Sequence, residues 1–144
     1  MKYISTRDNK KTYNFIETFL NGLALDGGLY IPKKIPRLSN ATLNRLSKLN
    51  YNDLAYEIIK IYTGNTFSNN ELKKIIRISY KKFHSNNVVK FSRLKKFNLV
   101  ELYHGPTLAF KDIAMQVIGN MYEVILSKSK NRINLITATS GDTG

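Results

Sequence analysis

The sequence predicts an α/β protein in which a mainly helical N-terminal region leads into the start of a parallel sheet. Apolar residues recur at helical spacing through much of residues 1–86. After residue 86 the pattern changes to short strand-like stretches and one long apolar helix. The last segment, "INLITATSG", is a continuous apolar run typical of a strand buried on both faces. We therefore expect two regions, 1–86 and 87–144, of which the second begins a parallel-sheet domain and leaves it incomplete.

Four helices are expected in the N-terminal region. The segment "TYNFIETFLNG" puts four apolar side chains on one helical face, and "SNATLNRLSKL", "NDLAYEIIKIYTG" and "SNNELKKIIRISYKKF" follow. Their ends carry capping signals: Gly22 stops the first helix, Ser39 caps the second, Asn52 and Gly64 bound the third, and Ser68 with Glu71 forms a capping box for the fourth. Between the first two helices, "LALDGGLYIPKKIP" predicts a turn and an extended segment.

The C-terminal region is predicted to hold strands around one helix. The stretches "NVVKFSRL" and "FNLVELY" read as short strands around a turn at Lys95–Lys96. The segment "DIAMQVIGNMYEVILSK" is the longest helix, and it is apolar over much of its circumference, which predicts extensive burial. "INLITATSG" is expected to be a strand that runs into a glycine loop.

Composition excludes some classes of protein. The chain has 144 residues, 42% of them apolar, so it can bury a modest core. It lacks cysteine, which excludes disulfides and thiolate metal sites, and we expect no metal. No apolar run approaches the roughly 20 residues that span a bilayer. We therefore expect a cytoplasmic protein without a membrane partner.

The net charge of +13 is typical of proteins that bind nucleic acids. However, the lysine pairs are scattered over different segments, and no RNA-binding or helix-turn-helix signature joins them. We therefore expect no nucleic-acid partner, although a basic binding module stays open as an alternative. A positive field would also favour an anionic substrate.

One lysine stands out in the stretch "ELYHGPTLAFKDIAMQ". Lys111 follows a turn made rigid by Gly105 and Pro106, and it precedes an apolar helix. Partial burial and the positive end of the helix dipole would both disfavour the ammonium form. A lysine in that state can attack an aldehyde. Taken alone, these residues fit either such a nucleophile or an ordinary solvated lysine.

The stretch "TSGDTG", residues 139–144, is a candidate anion site. Ser140 and Thr143 can donate hydrogen bonds, and Gly141 and Gly144 allow a close approach to backbone N–H groups. The alternative is an ordinary turn between a strand and a helix.

Together these stretches resemble one family. "ELYHGPTLAFKDIAMQ", followed by "ITATSGDTG" and preceded by "FIETFLNGLALDGGLYIP", is similar to the threonine synthases, which are fold type II pyridoxal-phosphate enzymes. The resemblance covers nearly the whole chain, with three motifs in the same order. It implies that the second region begins the catalytic domain of a fold type II enzyme.

The resemblance also implies residue roles. Lys111 matches the lysine that holds pyridoxal 5′-phosphate covalently and then moves protons as base and acid. Thr139, Ser140, Gly141, Asp142 and Thr143 match the loop that engages the α-carboxylate of the substrate. The implied reaction converts the small molecule O-phospho-L-homoserine and water to L-threonine and phosphate.

Asp142 favours a threonine synthase over related enzymes that carry Asn there. A threonine dehydratase remains the alternative within the fold type. The family's glycine-rich loop for the cofactor phosphate falls outside these residues, so we expect an N-terminal portion that is inactive alone. His104, next to the lysine motif, is expected to fix the turn by a hydrogen bond rather than to act as an acid or base.

Overall fold

The computed structural model describes residues 1–85, 87–129, 132–139 and 141. The elements follow in the order β1 (Tyr3–Ser5), α1 (Phe15–Asn21), β2 (Tyr30–Pro32), α2 (Asn40–Leu46), α3 (Tyr51–Thr63), α4 (Asn69–Tyr80), β3 (Lys90–Arg93), β4 (Asn98–Glu101) and α5 (Asp112–Ser129). Contacts divide the chain into two compact units, Met1–Leu72 and Lys73–Gly144. The proposed division into regions 1–86 and 87–144 stays a prediction.

The predicted caps at Gly22, Ser39, Gly64 and the Ser68–Glu71 pair are confirmed, whereas the capping box of α1 was not predicted from the sequence. Asn14 and Glu17 form a capping box at the start of α1, and Gly22, with φ 68°, ends it. The Ser39 hydroxyl accepts from the Thr42 N–H at the start of α2. The helix α3 begins at Tyr51 instead of Asn52, because the Asn50 side chain accepts the Asp53 N–H.

The first unit joins its N-terminal strand to the Asp-Gly-Gly turn. Strands β1 and β2 pair antiparallel, with Ile4 opposite Ile31. The Asp26 carboxylate accepts from the Ser5 hydroxyl and from the Gly28 N–H, each at 2.8 Å. The Gly28 N–H is the main cause of the lowered pKa of Asp26, and the Ser5 hydroxyl adds to it. The turn therefore has a fixed shape.

The second unit packs the C-terminal half of α4 on α5. Buried side chains form its core: Ile75, Ile76, Ser79, Tyr80, Phe83, Val88, Val117, Met121 and Ile125. The Ser79 hydroxyl donates to the carbonyls of Ile75 and Gln116, and the Tyr80 hydroxyl donates to the Ile113 carbonyl. These bonds fix the first turns of α5.

Helix α5 is less buried than its composition predicts. Val117, Met121 and Ile125, spaced four residues apart, form its buried apolar stripe, whereas Met115 is 42% exposed. Within the described residues, the second unit buries one face of this helix. No described helix is long and apolar enough to cross a membrane.

The strands in the described part of the chain are antiparallel pairs. Strands β3 and β4 form a hairpin around Lys95 and Lys96, as predicted, with Phe91 opposite Val100. The predicted strand in "INLITATSG" was wrong for this structure, since residues 132–139 pair with no other described strand. A strand needs a hydrogen-bonding neighbour, and this segment has none among the described residues. Its apolar side chains are not packed either, since Ile136 is 94% exposed.

Candidate functional site

The lysine turn, residues 104–111, leads from β4 into α5. The Leu108 N–H donates to the Gly105 carbonyl at 3.1 Å, and the Asp112 N–H donates to the Ala109 carbonyl at 3.1 Å. Leu108 has φ 60°, a left-handed conformation that costs a residue with a side chain about 1–2 kcal/mol. Surrounding contacts must hold such a turn in shape.

Asp112 supplies two of those contacts. Its side chain is 4% exposed. One carboxylate oxygen accepts the Thr107 N–H and the other accepts the Thr107 hydroxyl, both at 2.8 Å. A methyl group at Gly105 would lie 2.3 Å from both Cβ and Oδ2 of Asp112, so only glycine fits there.

Lys111 is the last residue of this turn and directly precedes Asp112, the first residue of α5. Its carbonyl accepts the first helical bonds, from Ala114 at 3.0 Å and Met115 at 2.8 Å. The side chain is half-buried, and its Nζ is 5.9 Å from the centroid of the Phe110 ring. The lysine backbone is therefore fixed from both sides.

A cavity of about 550 Å³ opens beside the turn. Three parts of the second unit line it: the end of β4 and the residues after it, the lysine turn, and the C-terminal loop. The lining residues are Val100, Leu102, Tyr103, Thr107, Leu108, Ala109, Phe110 and Gly141. Phe110, the residue before Lys111, contributes to the wall, whereas Lys111 itself is not one of the lining residues. The volume falls in the range that small-molecule sites occupy.

The structure describes part of the predicted carboxylate loop. Thr139 is exposed, and its hydroxyl accepts the Gly141 N–H at 3.1 Å. Gly141 has φ 122°, a conformation open to glycine, and it reaches the cavity wall. Ser140, Asp142 and Thr143 lie outside the described residues. Two segments that the sequence singled out, the lysine turn and this loop, thus meet at one cavity through Phe110 and Gly141.

A buried carboxylate supports the start of the lysine turn. Glu101, at the end of β4, accepts hydrogen bonds from the Ser92 hydroxyl and from Nε2 of His104, the latter at 2.9 Å. The Ser92 bond is the main cause that lowers the pKa of Glu101; burial opposes it, and the His104 bond lowers the pKa further. The His104 carbonyl also accepts the His84 N–H at 2.9 Å. The histidine thus fixes the turn, as expected.

Sequence reasoning missed Glu101 and the partners of Asp112. Acidic residues are common at a helix start, so Asp112 carries no local signal that its carboxylate points back to Thr107. The available signal for Glu101 was the single charged residue in the stretch "FNLVELY". In the part of the chain that the structure describes, no group of three potential ligands could hold a metal ion.

Comparison with known proteins identifies the family. A model of the threonine synthase N terminus matches residues 2–80. The threonine synthase of Saccharomyces cerevisiae is 40% identical over 158 aligned residues, which cover 99% of this chain and 31% of the yeast protein. That of Pseudomonas aeruginosa is 39% identical, with 100% of this chain and 31% of the relative covered. The chain belongs to the threonine synthase family.

A solved structure confirms the fold class. The crystal structure of PLP-bound threonine synthase from Brucella melitensis superposes with a TM-score of 0.88 at 33% identity, covering 92% of this chain and 29% of that chain. The chain thus spans less than a third of the length of the relatives it matches, and it corresponds to their N-terminal portion. The parallel sheet of the predicted catalytic domain is not formed by the residues described.

Proposed function

We propose that these residues form the N-terminal part of a pyridoxal-phosphate-dependent threonine synthase. The proposed reaction converts O-phospho-L-homoserine and water to L-threonine and phosphate. One observation carries the proposal: in a member of this family, Lys111 sits on a fixed turn beside a cavity of suitable size. The Brucella melitensis relative is described as PLP-bound. Because the chain spans less than a third of its relatives, we assign the activity to the longer protein and none to these residues alone.

The residues beside the cavity fit the reactive end of the cofactor. Lys111 provides a primary amine on the turn whose residues 107–110 line the cavity, and Phe110 provides an apolar wall for a planar ring. The aldehyde carbon of pyridoxal phosphate needs such an amine, held in one orientation. Lys111 is therefore the residue that would hold the cofactor.

When bound, the cofactor supplies an electron sink for charge that develops on the substrate carbons. Lys111 would then remove the proton from the α-carbon and later take a proton from the β-carbon. Residues 139–143 would hold the α-carboxylate through backbone N–H groups and hydroxyls. In the overall change, phosphate leaves the γ-carbon, which gains a proton and becomes the methyl group, and the β-carbon loses a proton and takes the hydroxyl of water.

The direct test is reduction with borohydride, which makes a lysine–cofactor linkage permanent. The protein at its natural length, loaded with pyridoxal phosphate, should carry one phosphopyridoxyl group on Lys111 by peptide mass mapping. Lys111→Ala should lose the label and the release of phosphate from O-phospho-L-homoserine. Lys128→Ala, which removes a lysine from the end of α5, is the matched control. A label on another lysine would contradict the assignment.

Product analysis separates the alternatives. A threonine synthase forms threonine from O-phospho-L-homoserine, whereas a threonine dehydratase consumes threonine. The net charge of +13 favours a basic binding module as a second candidate. That module would bind RNA with an affinity that falls steeply with salt, and its Lys111 would carry no label.

We place the protein in the cytoplasm, since its lack of cysteine suits a reducing compartment.

A further inference from the structure

We infer that Asp112 is a positioning residue: its buried carboxylate fastens Thr107 to the start of α5 and so fixes the backbone that carries Lys111. The inference deepens the proposed function and rests on the role of Lys111 given there. It assigns a role to Asp112 and Thr107 that the family match by itself does not supply.

The first argument is geometric. A capping side chain ordinarily precedes a helix and accepts from N–H groups two or three residues further along. Asp112 is already the first residue of α5, and both of its oxygens instead accept from Thr107, five residues earlier. The two hydrogen bonds close a ring of chain that contains residues 108–111. Lys111 lies inside this ring.

The second argument concerns the cavity wall. Thr107, Leu108, Ala109 and Phe110 all line the cavity, and all belong to the ring that Asp112 closes. If the two bonds were lost, the wall and the lysine backbone would move together. A catalytic group that shifts by about 1 Å can lose a hundredfold in rate.

The third argument is the close packing around the Asp112 side chain. Gly105 touches Asp112 so closely that a methyl group would overlap Cβ and Oδ2 at 2.3 Å. Leu108 keeps a left-handed φ of 60° within the same ring. A conformation of that kind persists where its surroundings determine it. The carboxylate also lies at the N-terminus of a helix of 18 residues, where negative charge is stabilised.

The experiment compares two threonine variants that leave the charge unchanged. Thr107→Ser keeps the hydroxyl that donates to Asp112, whereas Thr107→Val replaces it with a methyl group of similar volume. Each is made in the protein at its natural length, stripped of cofactor and given pyridoxal phosphate. The measurements are the rate at which Lys111 becomes borohydride-reducible, the visible circular dichroism of the bound cofactor, and the thermal unfolding midpoint.

We expect Thr107→Val to slow labelling of Lys111 by about tenfold or more and to change the circular dichroism. Thr107→Ser should restore both. Asp112→Asn should come close to Thr107→Ser, because its amide oxygen can accept the Thr107 N–H while its amide nitrogen donates to the threonine hydroxyl. Asp53→Asn is the matched control: it also removes a carboxylate from the first turn of a helix, but one that is exposed and distant in sequence.

Two results would overturn the inference. Thr107→Val loses the hydroxyl bond to Asp112 and keeps the backbone N–H bond. If this variant is labelled at the wild-type rate with an unchanged circular dichroism, the Thr107 side chain does not help Asp112 to position Lys111 and the inference fails, even if the unfolding midpoint falls. If the wild-type protein is never labelled at Lys111, the proposed function itself fails and the inference falls with it. If Asp112→Asn does not fold, the comparison of Thr107→Val with Thr107→Ser still tests the inference.

Discussion

At the scale of single residues, two glycines on either side of Lys111 should respond oppositely to alanine. A methyl group at Gly105 would lie 2.3 Å from Asp112, whereas one at Gly119, inside α5, would meet nothing within 4 Å. Gly105→Ala should therefore lower the free energy of unfolding by about 1–3 kcal/mol. Gly119→Ala should raise it by about 0.5–1 kcal/mol. Urea unfolding checks both, and equal effects would contradict the close approach at Gly105.

Glu101 should make stability depend on pH in the acid range. Its pKa in the folded state lies below the ordinary 4.5, chiefly because of the Ser92 hydroxyl. A group with a depressed folded pKa stabilises the protein above its unfolded pKa, and the stability is lost as the pH falls through the folded pKa. The free energy of unfolding should therefore drop below about pH 4.5.

Glu101→Gln should flatten that drop, since the amide does not titrate. Urea unfolding at a series of pH values measures the slope for both proteins. The exposed Glu123→Gln on α5 is the control. An identical slope in wild type and Glu101→Gln would show that the Ser92 and His104 bonds do not favour the ionised carboxylate.

At the scale of elements, the capping box of α1 should carry much of that helix's stability. The Asn14 side chain accepts the Glu17 N–H at 2.9 Å, and the Glu17 carboxylate accepts the Asn14 N–H at 2.7 Å. A helix of seven residues is too short to be stable by itself. Asn14→Ala should cost about 1 kcal/mol, and Asn14→Ser should restore most of it. Failure of the serine to rescue would mean that the side chain acts other than as a cap.

At the scale of the whole molecule, the exposed apolar residues near the end of the described chain should contribute to stability mainly in the longer protein. Leu135 and Ile136 are 73% and 94% exposed here. If the longer protein supplies neighbouring strands, each side chain gains about 1.5–3 kcal/mol by burial. Leu135→Ser with Ile136→Ser should therefore destabilise the natural-length protein by several times more than these 144 residues. Equal unfolding free-energy changes in the two proteins would contradict this expectation.

Much of the fold could be predicted because its signals act over a few residues. Ser39, Ser68 and Gly22 mark helix ends through bonds to residues three or four positions away. The hairpin at Lys95–Lys96 follows from two apolar stretches separated by a short polar turn. The motif order was sufficient to predict the family, which the comparisons confirm.

The sequence by itself determined the helices, the hairpin and the family, since each is written in residues that lie close together or in a fixed order. Only the tertiary structure decided the partners of the buried carboxylates: Asp112 bonds to Thr107, and Glu101 bonds to Ser92 and His104. It also decided that residues 132–139 are unpaired here. The physical reason is that a buried acceptor or a strand edge bonds to whatever packing brings beside it, and packing joins residues that local patterns cannot relate.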